Sequence, residues 1–328
     1  MAYKHEGPPV VVGYDGSTAA QRALRWAVDE ARRRWTSLVI CHAWHWPYPV
    51  RPSDPSALDM IESLARGVLD QGVHIAAGFA PTLPIHPRLI AGPASAALVS
   101  ESHRARLVVV GTRGLGGFAD LRVGSAAVQV PAHAACPVIV VNRPDPGRRP
   151  SPGLVVVGVD GSPASSEALG FAAEEAVLRD GHLHAVCCWE GGAVPTGLYD
   201  ETAGLGEGDL ESGPAGRLAG DSSGTGALGP YPDVERDRRS AAAHFQETVA
   251  VWSEKFPDLR IETSFLERPP RRALREAAAH AELLVVGARG LSDGHGLPLG
   301  PVTQAMLHHA PCPVAVVHEA RPYRLQPQ

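Results

Sequence analysis

The residues with the strongest chemical signal form a glycine-rich pattern in the first half of the chain. Gly111, Gly114, Gly124 and Ser125 follow a short β-branched run with the spacing G-x2-G-x9-G-S. Glycine lets backbone N–H groups approach a ligand closely, and the first N–H groups of a helix favour an anion. A strand, a glycine loop and a helix start in this order predict a phosphate-binding loop. The alternative is that these glycines only shape tight turns.

Other motifs that could carry chemistry are weaker. Residues 114–119 fit G-x-G-x-x-A, but no helix follows at once, which argues against a dinucleotide site of the Rossmann type. The sequence has no G-x4-G-K-[ST], so P-loop phosphoryl transfer is excluded. His308, His309 and Cys312 have no second cluster at metal-ligand spacing, and we interpret them as a helix end and a buried thiol. No Ser-His-Asp set and no pair of carboxylates stands out.

The glycine pattern recurs, because the chain contains an internal repeat. VVVGYDGSTAAQRALRWAVDEARRR, beginning at Val10, aligns with VVVGVDGSPASSEALGFAAEEAVLR, beginning at Val155. LVVVGTRGL aligns with LLVVGARGL, and CPVIVV with CPVAVV. The second copy carries a surplus of 31 residues, which must lie close to 191–233. This stretch is rich in glycine and poor in apolar residues, so we expect a disordered surface loop; a lid over a nucleotide or a partner-binding arm is the alternative.

Each half alternates apolar strands with amphipathic helices. In the first half we predict strands at 10–14, 37–43, 84–90, 107–111 and 138–141, and helices at 19–34, 57–71, 94–104 and from Gly124 onward. Pro131 should kink or shorten that last helix. Such alternation predicts an α/β fold, with a parallel sheet covered on both faces and a ligand site at the carboxyl ends of the strands. The proline- and arginine-rich stretch 142–152 indicates a boundary between domains at 1–146 and 153–320.

Composition narrows the classes of partner. The net charge of −5 gives no general attraction to nucleic acid or to acidic membranes. The N-terminal residues lack a signal-peptide core, and no apolar run approaches the ~18 residues of a membrane span, so we expect a cytoplasmic protein. The five cysteines show no C-x-x-C spacing, which predicts free thiols.

GYDGS after the first strand, the glycine pattern after the fourth and CPVIVV at the end together resemble a universal stress protein domain. The resemblance covers nearly all of the chain apart from the linker, the insertion and the termini. It implies two tandem adenine-nucleotide-hydrolase-like (flavodoxin-like) domains of the ATP-binding subgroup, each with five mostly parallel strands. It also implies pairing through the last strands, here 138–141 and 314–317, as an internal pseudo-dimer or a homodimer.

The resemblance further implies a site for ATP, with or without Mg²⁺, in the first half. A carboxylate at the end of the first strand would contact ribose or a phosphate-bound Mg²⁺, unless it only caps its own turn. Backbone at the end of the second strand would meet the adenine edge, and the glycine loop and the following helix start would hold the phosphates. These roles fall on Asp15, Cys41, Ala43, Gly111, Gly114, Gly124, Ser125 and Ala126.

The second half departs from this pattern at one position. Asp160, Gly287, Gly290 and Gly300 keep the spacing, but Pro301 replaces the serine. Proline is tolerated at the first position of a helix but has neither an N–H group nor a hydroxyl. We therefore predict that the first half binds ATP and that the second binds it weakly or not at all.

The function that these residues and the resemblance favour is a regulatory sensor in the stress response. It would bind ATP and act on an unidentified protein partner, without dedicated catalysis. Two alternatives stay open at this point: a slow ATP hydrolase, and a protein-interaction module that binds no nucleotide.

Overall fold

The structure is a computed structural model that describes residues 7–46, 55–114, 123–143, 147–190, 234–291 and 297–319. The expectation of a disordered loop at 191–233 lies outside these residues.

The two halves repeat the same order of elements. The first half contains β1 (Val10–Gly13), α1 (Thr18–Arg33), β2 (Leu38–Trp44), α2 (Pro55–Phe79), β3 (Ile85–Ala91), α3 (Ala94–Ser102), β4 (Leu107–Gly111), α4 (Ser125–His133) and β5 (Val138–Val141). The second contains β6 (Leu154–Val159), α5 (Pro163–Leu178), β7 (His182–Cys188), α6 (Val234–Lys255), β8 (Ile261–Leu266), α7 (Pro270–Ala277), a 3-10 turn (Ala278–His280), β9 (Leu283–Gly287), α8 (Pro301–His309) and β10 (Val314–Val317).

The strands form one continuous ten-stranded sheet with the order β3-β2-β1-β4-β5-β10-β9-β6-β7-β8. All neighbouring described strands within a half are parallel, which confirms the predicted α/β class with five parallel strands in each half. The halves meet where β5 and β10 pair antiparallel, with Val140 opposite Val314 and Val138 opposite Val316. We expected these two strands to meet from the resemblance of each half to a universal stress protein domain. All four valines are fully buried, so the pairing covers two apolar sheet edges that would otherwise be exposed.

Helices cover both faces of the sheet because alternate strand residues are apolar on both sides. Val10 and Val12 pack in one core with Leu24 of α1, whereas Val11 packs in the other with Leu98 of α3. A strand buried on both faces is a near-continuous apolar run, which is why the β-branched runs predicted these strands.

A buried ion-pair cluster joins the two halves on one face of the sheet. Arg34, next to the end of α1, pairs with Glu175 of α5, and Arg179, next to the end of α5, pairs with Glu30 of α1. None of these four side chains is more than 4% exposed. We call these four residues the inter-half ion cluster, which no pattern in the sequence predicted.

Two details of the helices differ from the prediction. Helix α2 continues to Phe79 rather than ending at residue 71, and Ala76 in its additional turns is buried in the core. Gly72 within this helix leaves room for the ring of Tyr14, because a Cβ there would lie 2.8 Å from that ring. Pro131 does not shorten its helix, since α4 spans nine residues, as does α8. The proline lies near the end of α4, and its carbonyl oxygen lies 2.7 Å from Nε2 of His318.

Candidate functional site

The strand order places a crevice at the carboxyl ends of β1 and β4. The chain goes from β1 to β2 on one side and returns on the other side of β1 with β4, so the crossovers diverge at this point. Ligands of open α/β sheets bind where the connections diverge in this way. Asp15 follows β1 and the loop from Gly111 to Gly114 follows β4, so the fold brings the two predicted segments to the same crevice.

The carboxylate of Asp15 is oriented by its own turn. Its Oδ1 atom accepts a hydrogen bond of 3.0 Å from the backbone N–H of Ser17, and Gly16 takes the positive φ of 82° that this turn requires. The other oxygen is directed toward the glycine loop, because a Cβ at Gly114 would stand 2.4 Å from Oδ2 of Asp15. The turn-capping role is therefore present, and one oxygen also borders the crevice.

The three predicted glycines have different surroundings. A Cβ at Gly111 would lie 2.7 Å from the backbone of Ala19, so this glycine is required for α1 to pack against β4. Gly114 lets the loop approach Asp15. At Gly124 the nearest atom to an added Cβ is the carbonyl oxygen of Thr112 at 3.5 Å, an ordinary contact. No contact within the described protein therefore requires glycine at position 124.

Helix α4 begins at this glycine without a side-chain cap. Gly124 is the N-cap residue, and its own N–H donates to the carbonyl oxygen of Thr112 at 2.7 Å. Ser125 is exposed and Ala126 is half-buried. The first N–H groups of a helix have no partner within the helix, so a start without a side-chain cap can bind an anion.

The end of β2 supplies backbone rather than side-chain groups. Burial, with a smaller contribution from Glu101, raises the pKa of the Cys41 thiol to about 12, so this side chain is neutral and enclosed. Pairing of β1 with β2 ends at Gly13 and Cys41, and Ala43 lies beyond this point. The Nδ1 atom of His42 donates to the carbonyl oxygen of Tyr14 at 2.7 Å, since a carbonyl oxygen only accepts. This hydrogen bond was not predicted from the sequence.

In the second half the structure brings all four predicted residues together. Asp160, Gly287, Gly290 and Gly300 line one cavity of about 430 Å³. The carboxylate of Asp160 accepts from the N–H of Ser162 through Oδ1 and from the N–H of Leu291 through Oδ2, both at 3.0 Å. Most of the remaining wall is apolar and includes Val186, Cys187, Trp189, Phe245, Leu274 and Val302.

This cavity offers few donors where a phosphate would lie. Helix α8 begins at Pro301, which has no N–H group, and the N–H of Gly300 already donates to the carbonyl oxygen of Ala288 at 2.9 Å. The hydroxyl of Thr303 donates to the carbonyl oxygen of Gly287 at 2.7 Å. The second-half cavity therefore has the size for a flat heterocycle, and the start of α8 beside it offers fewer donors to a phosphate than the start of α4, although Arg289 also lines the cavity.

The described residues contain no group of three or more histidine, cysteine, aspartate or glutamate side chains placed to hold a metal ion. No helix among them has the length and the apolar character needed to cross a bilayer.

Comparison with known proteins gives a consistent result for both halves. The model of the universal stress protein family matches residues 8–142 and 154–318. A universal stress protein of Mycobacterium tuberculosis is 29% identical over 324 residues, which cover 95% of this chain and 97% of that protein.

A solved structure supports the fold. The crystal structure of a universal stress protein from Archaeoglobus fulgidus DSM 4304 has a TM-score of 0.65 at 15% identity and covers 97% of this chain and 98% of its own. A second structure, of a universal stress protein from Archaeoglobus fulgidus, is of a complex with dAMP. It is 26% identical, has a TM-score of 0.31, and covers 43% of this chain and 98% of its own.

Proposed function

The chain belongs to the universal stress protein family, and from that premise we propose that its first half binds ATP in the crevice between β1 and β4. In this proposal the protein is a cytoplasmic regulator whose occupancy by adenylate is read by a protein partner during stress. No dedicated catalysis is assigned to it.

The observation that carries the proposal is the start of α4. Among the described residues nothing prevents a Cβ at position 124, which is nevertheless glycine, and this glycine supplies no side-chain cap to the helix that follows it. A ligand that approaches the backbone closely explains both facts, and the exposed end of a helix dipole favours a ligand that carries negative charge. Phosphate oxygens would accept from the N–H groups of Ser125 and Ala126 and from the hydroxyl of Ser125.

The remaining crevice residues fit the other parts of a nucleotide. The oxygen of Asp15 that borders Gly114 would accept from ribose hydroxyls or serve as one ligand of a phosphate-bound Mg²⁺, since Mg²⁺ prefers carboxylate and phosphate oxygens. The backbone from Cys41 to Ala43 would meet the adenine edge. Gly111 and Gly114 keep the loop after β4 close to these groups. The second half would bind ATP weakly or not at all, because its helix begins with Pro301.

The test is calorimetric titration of the full-length protein with Mg·ATP, beside Ser125→Pro and Ser125→Ala. Proline occupies the equivalent position of α8, so Ser125→Pro should fold, and it removes both the N–H and the hydroxyl. Ser125→Ala removes the hydroxyl only. We expect one site per chain, lost with proline and weakened about tenfold with alanine. Absence of binding to the unaltered protein, or equal binding by all three proteins, would overturn the proposal.

The two alternative functions are separated by the same samples. ADP formation that requires Mg²⁺ and disappears in Asp15→Ala would show a slow hydrolase instead of a sensor. A partner retained by a protein that binds no adenylate would show an interaction module.

A further inference from the structure

A second opening lies where the two halves meet, and we call it the junction cleft. It has a volume of about 1290 Å³ and extends from the start of α1 and the ends of β4 and β5 to the ends of α7 and α8. Four arginines from four different segments line it: Arg22, Arg113, Arg143 and Arg275. It is distinct from the second-half cavity and borders the first-half crevice at Gly114.

The one carboxylate among the described lining residues pairs with two arginines that are not part of the lining. Glu276 forms ion pairs with Arg268 at 3.1 Å and with Arg272 at 2.8 Å. Two histidines, His308 and His309, also line the cleft. The described wall of the junction cleft therefore carries an excess of positive charge.

Of these four arginines, Arg22 has the surroundings that least favour its charged form. Its Nε atom is buried and, within the part of the chain that the structure describes, has no hydrogen-bond partner. Burial, and then the positive charge of Arg143, lower the pKa of Arg22. Two guanidinium groups that repel each other across a cleft would be stabilised by an anion placed between them.

The internal repeat shows that this charge is not a general property of the fold. In the alignment of the halves, Arg22 corresponds to Glu167 and Arg143 to Glu319. Both arginines are therefore replaced by carboxylates at the related place of the second half. A bias toward arginine in the composition would affect both halves equally, so the one-sided charge requires a reason of its own.

We propose that the junction cleft binds a linear oligophosphate. Guanidinium groups bind phosphate oxygens in a bidentate manner, and four of them spread over a long cleft suit a chain of phosphates better than a single ion. Because the cleft borders Gly114, the chain is either free inorganic oligophosphate or the extended tail of a nucleotide in the first-half crevice. The proposal does not depend on ATP binding by that crevice.

The test is calorimetric titration of the full-length protein with inorganic tripolyphosphate, which lacks a base. The variants are Arg22→Gln, Arg22→Glu and Arg143→Glu, and the matched control is Arg66→Glu on the exposed side of α2. Glu167 stands at the equivalent position of α5, so a carboxylate at position 22 is compatible with a folded helix. We expect at least about a tenfold loss of affinity in each cleft variant and little change in the control.

Three outcomes would overturn the proposal. The first is absence of tripolyphosphate binding to the unaltered protein. The second is an equal loss in Arg66→Glu, which would indicate an effect of net charge alone. The third is a loss in Ser125→Pro with none in the arginine variants, which would place the anion at the start of α4.

If the first half has no ATP site, the titrations give a different set of results. In that case ATP does not bind, whereas tripolyphosphate still binds and still depends on Arg22 and Arg143. Competition with adenosine 5′-tetraphosphate identifies the source of the chain. If this nucleotide binds more tightly than ATP and displaces tripolyphosphate, the cleft holds a nucleotide tail; if both bind together, it holds free oligophosphate.

Discussion

Gly114 and Asp15 approach each other so closely that a Cβ at position 114 would lie 2.4 Å from Oδ2 of Asp15. The two residues follow β4 and β1, whose carboxyl ends form the crevice. The atom that a side chain would meet is the end of a flexible carboxylate. Gly111, three residues earlier, faces the backbone of Ala19 at 2.7 Å instead. The same substitution at the two glycines should therefore have different consequences.

We expect Gly114→Ala to weaken ATP binding at least about tenfold with a change in the free energy of unfolding below about 1 kcal/mol, because the Asp15 carboxylate can turn away. Gly111→Ala should destabilise the protein by about 1–3 kcal/mol or more, because backbone must move. Urea unfolding and calorimetry on both variants measure the two effects. Equal destabilisation by the two variants would contradict this assignment of roles.

Pro301 provides a test by gain of function. In a Ser125→Pro background, where first-half binding is removed, we expect Pro301→Ser to raise ATP affinity about tenfold or more, because it restores an N–H and a hydroxyl beside the second-half cavity. The matched control is Pro163→Ser at the start of α5, a helix start that Ser162 already caps. Calorimetry in which both serine variants behave alike would count against a phosphate position at the start of α8.

The architecture could be predicted from the sequence. The convergence of the candidate site segments on one crevice could be predicted as well. β-branched runs such as 107–111 predicted strands that are buried on both faces of a parallel sheet. The internal repeat supplied a second copy of each run, which supported the same assignment. Gly111, Gly114 and Asp15 could be assigned to one crevice because carboxyl ends of parallel strands share one edge.

Features that depend on distant partners could not be predicted. Arg34 and Glu175 are 141 positions apart, and each is an ordinary charged residue in its own helix. Helix α2 continues past Gly72 where Ala76 packs into the core and the ring of Tyr14, from another segment, lies beside that glycine.

The inter-half ion cluster should contribute strongly to stability. Replacing Arg34 by Met leaves Arg179 as the one described partner of Glu175, in a place where the Glu175 carboxylate is fully buried. Removing one partner of a buried ion pair costs about 3–5 kcal/mol, because the remaining charge lacks solvation. We expect a loss of this size in the free energy of unfolding, measured with urea.

The control for this cluster is Arg66→Met, which removes an exposed pair with Glu62 and should change stability by less than about 1 kcal/mol. Replacing all four cluster residues with apolar side chains of similar volume should restore part of the loss. Equal effects of Arg34→Met and Arg66→Met would show that the cluster adds nothing beyond an exposed pair.

The cysteine thiols should make stability depend on alkaline pH. Burial raises the pKa values of Cys41, Cys187 and Cys312 to about 12 from an ordinary value of 9.0. Because the folded-state pKa values are raised, the stabilisation is complete below about pH 9 and is lost as the pH rises toward 12. We expect the urea midpoint of the unaltered protein to fall more steeply above pH 9 than that of a variant with these three cysteines replaced by alanine.

At pH 8 the folded protein should resist alkylation by iodoacetamide at these positions, because the thiolate is the reactive form. Parallel pH profiles, or rapid alkylation of Cys41 in the folded protein, would contradict the enclosed position of this thiol beneath the crevice.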